Sequence, residues 1–158
     1  MAFEIEHCKL FRHARLDVHP EITVLVGAND VGKSVLLEAI SLYGELQQVG
    51  LRDLLDDARF GGARGEPARF TAEWDVNGQR WRHSITLDSS APEERLERGR
   101  EHWSWNPKAR VLDTHHGRFD ARDIKRYTTM AGAEWALDTD LEKTIHEPLA
   151  VTRRFVTP

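Results

Sequence analysis

Gly27-Ala28-Asn29-Asp30-Val31-Gly32-Lys33-Ser34 is the stretch on which the reading of this chain turns. It has the form GxxxxGKS, and the residues on both sides suit that form. Ile22-Thr23-Val24-Leu25-Val26 before it is apolar and β-branched, which predicts a buried strand. The sequence after it predicts a helix from about Lys33, with Leu36, Ala39, Ile40, Tyr43 and Leu46 on one face and an end before Gly50. Strand, glycine loop and helix in that order cradle phosphates, because the glycines let successive backbone N–H groups curl toward one anion. In such a loop Lys33 supplies a point charge for the β- and γ-phosphates, and the Ser34 hydroxyl suits Mg²⁺. At ordinary residue frequencies the four fixed positions coincide about once in two hundred chains of this length, so a mere connecting turn explains them poorly. The expected ligand is ATP or ADP with Mg²⁺.

Working outward, 158 residues are enough for one domain with a real core, and 40% hydrophobic with 30% charged residues describe a soluble protein. No apolar run approaches the ~20 residues of a membrane span, no signal-peptide segment opens the sequence, and one cysteine, Cys8, excludes an internal disulfide. These features point to the cytoplasm, with no membrane partner. Cys8 falls in a predicted strand and reads as a small buried residue. The net charge of −4 gives no global attraction to nucleic acid, and Lys125-Arg126 and Arg153-Arg154 read as solvated surface.

Residues 2–19 predict two strands, with Phe3 and Ile5 facing the core in the first and Ala14, Leu16 and Val18 in the second. A short helix carrying Leu51, Leu54, Leu55 and Ala58 should stop at Gly61-Gly62, before a polar loop to Pro67. Then comes a hairpin. Phe70, Ala72, Trp74 and Val76 alternate with polar residues, Asn77-Gly78 makes a type I′ turn, and Trp81, His83, Ile85 and Leu87 alternate again. Residues 91–102 are charge-dense and predict an exposed helix or a loop. Val111-Leu112 opens a further strand, and 120–147 predicts helical pieces broken before Pro148.

Lys9-Leu10-Phe11-Arg12, the GANDVGKS loop and the VLLEAI helix start together resemble the N-terminal lobe of an ABC-type ATPase head. The resemblance is to the RecF, SMC and OLD-like group of AAA family ATP-binding proteins. It covers residues 3 to 43 well. It implies an α/β fold: a P-loop NTPase lobe with an antiparallel β-layer beside the phosphate-loop strand and helix. The whole of 1–158 would form one lobe, divided into 1–62, the hairpin 68–88 and an α/β remainder over 89–158. The resemblance also implies site residues. Gly27, Asn29, Asp30, Val31, Gly32, Lys33, Ser34 and Val35 would bind nucleotide, Ser34 would hold Mg²⁺, and Arg12 would reach back to the phosphates. Asp30 and Val31 stand where the family more often has small residues. Implied partners are a second head lobe or a second copy, and DNA through the assembled protein, in repair, recombination or defence.

The family also needs a metal-reaching glutamine, an LSGGQ-like signature and an apolar strand ending in adjacent acids. The only glutamines are Gln47, Gln48 and Gln79, in a helix end and a hairpin turn, and no LSGG string occurs. Val111-Leu112-Asp113 lacks a second acid, and Ile85-Thr86-Leu87-Asp88 belongs to the hairpin. The lobe therefore reads as incomplete, with no assignable catalytic residue and negligible turnover expected on its own. The competing readings are a degenerate lobe serving as a non-enzymatic interaction module, and a different P-loop enzyme such as a small-molecule kinase. The antiparallel hairpin after the first helix disfavours the kinase. His115-His116 in a strand would face opposite ways, so a shared metal is not expected. Trp103 and Trp105 near Arg100, Lys108 and Arg110 have the composition of a single-strand stacking site but fit a small core better.

Overall fold

The computed structural model describes residues 1–45, 66–88, 90–126, 128–130, 135 and 145–151. They form an α/β structure dominated by one sheet. The strands are β1 (Ala2–Cys8), β2 (Phe11–Asp17), β3 (Ala68–Val76), β4 (Gln79–Leu87), β5 (Glu93–Arg98), β6 (Glu101–Asn106), β7 (Val111–Thr114) and β8 (Gly117–Asp120). Helix α1 (Lys33–Glu45) stands between β2 and β3 in the chain, and 145–151 is helical. The sheet order is β2-β1-β3-β4-β5-β6-β7-β8, with every neighbouring pair antiparallel. From β3 onward it is a simple meander, and β1 adds to its open side.

The hairpin forms as its sequence predicts. Val76 faces Gln79 across a two-residue turn in which Asn77 and Gly78 have φ of 54° and 76°. Both values are the positive φ that a type I′ turn requires. The alternating set Phe70, Ala72, Trp74, Trp81, His83, Ile85 and Leu87 is buried on one face. The same layer takes Phe3 and Ile5 from β1, Leu96 from β5, Trp103 and Trp105 from β6 and Leu112 from β7. Helix α1 lays Ala39, Leu42 and Tyr43 on this face, with Leu36 and Ile40 partly buried, and Ile145, Leu149 and Val151 join the same core. Trp103 and Trp105 are thus core residues, unavailable for stacking with bases.

Four expectations are corrected. Residues 22–26 are not a buried strand: they are irregular, and no described strand pairs with them. The sheet recruits β1 instead, and its edges are β2 and β8. Residues 91–102 are neither an exposed helix nor a loop but contain β5 and the start of β6. Their charges find partners: Arg95 pairs with Glu97 at 2.9 Å, Ser104 donates to Glu93 at 2.5 Å, and Arg98 reaches Glu147 of the 145–151 helix at 2.6 Å. Pro148 breaks no helix, since 145–151 runs through it; 121–126 are turns and irregular chain, and most of the remainder of 120–147 lies outside the described residues. His115 and His116 lie in the β7–β8 turn, where a tight reversal brings their rings to 3.9 Å instead of splaying them. Among the described residues, no group of three or more potential ligands is placed to hold a metal. Leu46 and the predicted helix at 51–58 lie outside the described residues.

Candidate functional site

Helix α1 determines the site, because its N-terminus carries the GKS end of the motif. The Gly32 carbonyl accepts the Leu36 N–H at 3.0 Å, so Gly32 caps the helix and Lys33, Ser34 and Val35 form its first turn. The N–H groups of a first turn have no acceptor within their own helix, and the aligned peptide dipoles add partial positive charge there. No acidic residue occupies that turn. Ser34 is exposed, and Val35 is half-buried. This is an end that favours an anion.

The chain before the helix is bent by two residues of positive φ, Asp30 at 66° and Gly32 at 93°. Lys33 folds back over the bend. Its Nζ donates to the Gly27 carbonyl at 2.8 Å and also to the Ala28 carbonyl. The ammonium therefore sits inside the curve of the loop, held by groups that water or an anion can replace at little cost, since Gly27 and Ala28 are exposed. Asn29 and Asp30 form the tip of the turn, exposed like Val31. Asp30 and Lys33 are the only charged side chains between Gly27 and Ser34.

Below the loop lies the β1–β2 connection. A Cβ placed on Gly32 would come within 2.5 Å of Phe11 Cζ and 3.1 Å of Leu10 Cδ1, so only glycine lets the backbone settle there. Lys9 Nζ bonds Glu38 Oε2 at 2.5 Å, tying the same connection to the second turn of α1. Arg12, on β2, is exposed and forms no hydrogen bond or ion pair with a described residue. The structure thus brings Leu10 and Phe11 against the loop, while Arg12 lies one residue further along. The motif pointed to the loop residues, but nothing in the sequence pattern marked Phe11 as their support.

Among the described residues, the incoming chain has no such support. Ile22, Val24 and Val26 are 72%, 70% and 89% exposed, and Leu10, Val31 and Leu37 are exposed as well. Among the described residues, the one side-chain bond of this run is local, His19 N–H to Thr23 Oγ1 at 2.8 Å.

At the other end of α1 is a polar network that the sequence did not announce. Tyr43 Oη bonds His83 Nδ1, His83 Nε2 lies 2.9 Å from Glu94 Oε1, and the Met130 N–H donates to Glu94 Oε2. All of these side chains are buried. Burial, with the nearby Glu94 charge, holds the Tyr43 hydroxyl well above its ordinary pKa, so it stays protonated and neutral. The visible signal was a histidine on the inward face of an otherwise apolar hairpin. Buried as it is, the network is suited to fixing α1 on the sheet.

Comparison with known proteins adds one match. Residues 22–138 fit the family model described as "AAA domain, putative AbiEii toxin, Type IV TA system". No match was found among curated proteins. Among the described residues, no helix is long and apolar enough to cross a membrane.

Proposed function

The chain belongs to this AAA-domain family, a class of P-loop nucleotide-binding ATPase domains, and from that premise we propose that it binds ATP with Mg²⁺ at residues 27–34. The observation that carries the reading is the fold-back of Lys33 over a loop that opens an acid-free helix N-terminus. The residues present fit the ligand. First-turn N–H groups of Lys33, Ser34 and Val35 would meet phosphate oxygens, and Lys33 would exchange the Gly27 and Ala28 carbonyls for the β- and γ-phosphates. The Ser34 hydroxyl would hold Mg²⁺, Gly27, Asn29, Asp30, Val31 and Gly32 would shape the curve, and Arg12 would reach the phosphates from β2. A bound metal ion supplies charge neutralisation between phosphates.

We assign the chain more finely to a head lobe of the RecF, SMC and OLD-like kind, with nucleotide-dependent association linked to DNA repair, recombination or defence. This rests on the Lys9-Leu10-Phe11-Arg12 and GANDVGKS resemblance. The exposed Ile22, Val24 and Val26 support a partner, either a second copy or a second lobe, that pairs with this run. They also favour the second reading, a degenerate lobe that works as an interaction module without turnover. Titrating a fluorescent ATP analogue with Mg²⁺ into wild type and Lys33→Ala tests the nucleotide-binding reading. Binding by the wild type that Lys33→Ala loses supports the first; no binding, or binding that the substitution leaves unchanged, refutes it. Phosphate release should not exceed the Lys33→Ala control, because no catalytic carboxylate is assignable.

A further inference from the structure

Two side-chain-bearing residues at the β1–β2 corner lie in the left-handed region, His7 near the end of β1 at φ 52° and Lys9 in the connection at φ 51°. That region is disfavoured once a Cβ is present. The pairing of β1 with β2 is broken at the same place: Glu6 faces His13 and Cys8 faces Phe11, but His7 and Arg12 do not pair. Such conformations persist only where the surroundings fix them, and they cluster at functional sites. Here the surroundings are the core on one side, against which Phe11 packs, and Gly32 on the other. The ring of Phe11 fills the space where a Cβ on Gly32 would stand, and Gly32 has a φ of 93° that suits glycine. The chain leading into the loop is exposed and pairs with no described strand. The height of the loop over the sheet is therefore set by this corner and by continuity with α1.

We propose that Phe11 is a positioning residue for the phosphate loop: packed against the core, its ring is the floor on which Gly32 rests, and it aims the first-turn N–H groups of α1. The proposal rests on the nucleotide-binding reading above. Phe11 touches no phosphate itself; it acts through the backbone of Gly32. Donors arranged around an anion lose much of their value when displaced by about 1 Å. Removing the floor should therefore weaken binding without altering any group that contacts the ligand.

The test is a titration of the fluorescent ATP analogue with Mg²⁺ into wild type, Phe11→Ala and Phe11→Leu, well below the thermal midpoint of each. Phe11→Ala should bind about tenfold more weakly and Phe11→Leu about threefold, with the Phe11→Leu midpoint close to wild type. A residue that only fills the core would lower the midpoint and leave the affinity of the folded protein unchanged; that result overturns the proposal. If Phe11→Ala does not fold, Phe11→Leu decides alone, and equal affinity overturns it. Unchanged variants beside a wild type that binds refute the role of Phe11 only. A wild type that does not bind refutes the nucleotide-binding reading together with it.

Discussion

Along β3 and β4, alternate apolar side chains are buried and every residue pair from Ala68–Leu87 to Val76–Gln79 is in register. Along 22–26 the same apolar alternation leaves Ile22, Val24 and Val26 in solvent, with no described strand beside them. The two regions differ in partners more than in composition. A strand must place its backbone N–H and C=O groups as well as its side chains. Phe70 and Ile85 find both needs met within the sheet, facing each other and, on their other sides, Ile5 and Glu94, whereas Val24 would need neighbours from outside the described sheet. The region with its partners built in is the frame, and the region without them carries the candidate site.

The sharpest way to break this comparison is within the frame. His83→Ala would strand the Tyr43 hydroxyl and the Glu94 carboxyl in the core, at an expected cost of about 3–5 kcal/mol in urea unfolding. A loss under ~1 kcal/mol would mean that the network holds nothing in place. On the site side, Arg12→Ala should weaken nucleotide binding by ~1.5–3 kcal/mol while the midpoint of the ligand-free protein stays put. Equal affinity would return Arg12 to plain surface.

A smaller effect should appear on the outer face of the sheet. Burial raises the Glu73 carboxyl, but hydrogen bonds from Arg80 and Arg15 more than reverse this, leaving its pKa below the usual value of 4.5. A lowered folded pKa adds stability that is present above the unfolded value and is lost as pH falls through the folded one. Glu73→Gln should thus cost at most about 1 kcal/mol at pH 7, shrinking toward zero below about pH 4. A difference that grows in acid would reverse the assigned sign. The smallest effect belongs to the open run. Val24→Asp should shift the stability of dilute protein by no more than about 0.5 kcal/mol, because nothing described covers Val24. If light scattering shows that wild type self-associates, the same change should abolish it. A large loss of stability in the monomer would show that Val24 is covered after all.

The sequence made the hairpin plain because Asn77-Gly78 and two alternating runs are local signals. It misled at β5, where Leu96 is the sole inward apolar side chain and Glu94 faces inward because His83 and the Met130 N–H meet it. No local pattern announces that an acid will find partners from β4 and from Met130. At 22–26 the failure ran the other way: the apolar pattern was strong, but pairing is a property of neighbours. Of the candidate site, the positions of Gly27, Gly32, Lys33 and Ser34 were legible from the motif. The support from Phe11 was not, because it depends on where the β1–β2 corner meets Gly32.

The order of the sheet also has a consequence for how the chain assembles in time. Each junction from β3 to β8 joins strands adjacent in sequence, whereas β1 must bring Ala2 opposite Glu73 across α1 and everything after it. Short loops close with less entropy loss than long ones, and local pairings form faster. The meander should therefore take shape first, and β1, β2 and α1 should dock on it as a late, separable step. In pulse-labelled hydrogen exchange, the amides of Ile85 and Leu96 should gain protection before that of Ile5. The corner that seats Gly32 would then be among the last parts of the molecule to exist, and a chain caught early in folding would hold a finished sheet with no place to bind a phosphate.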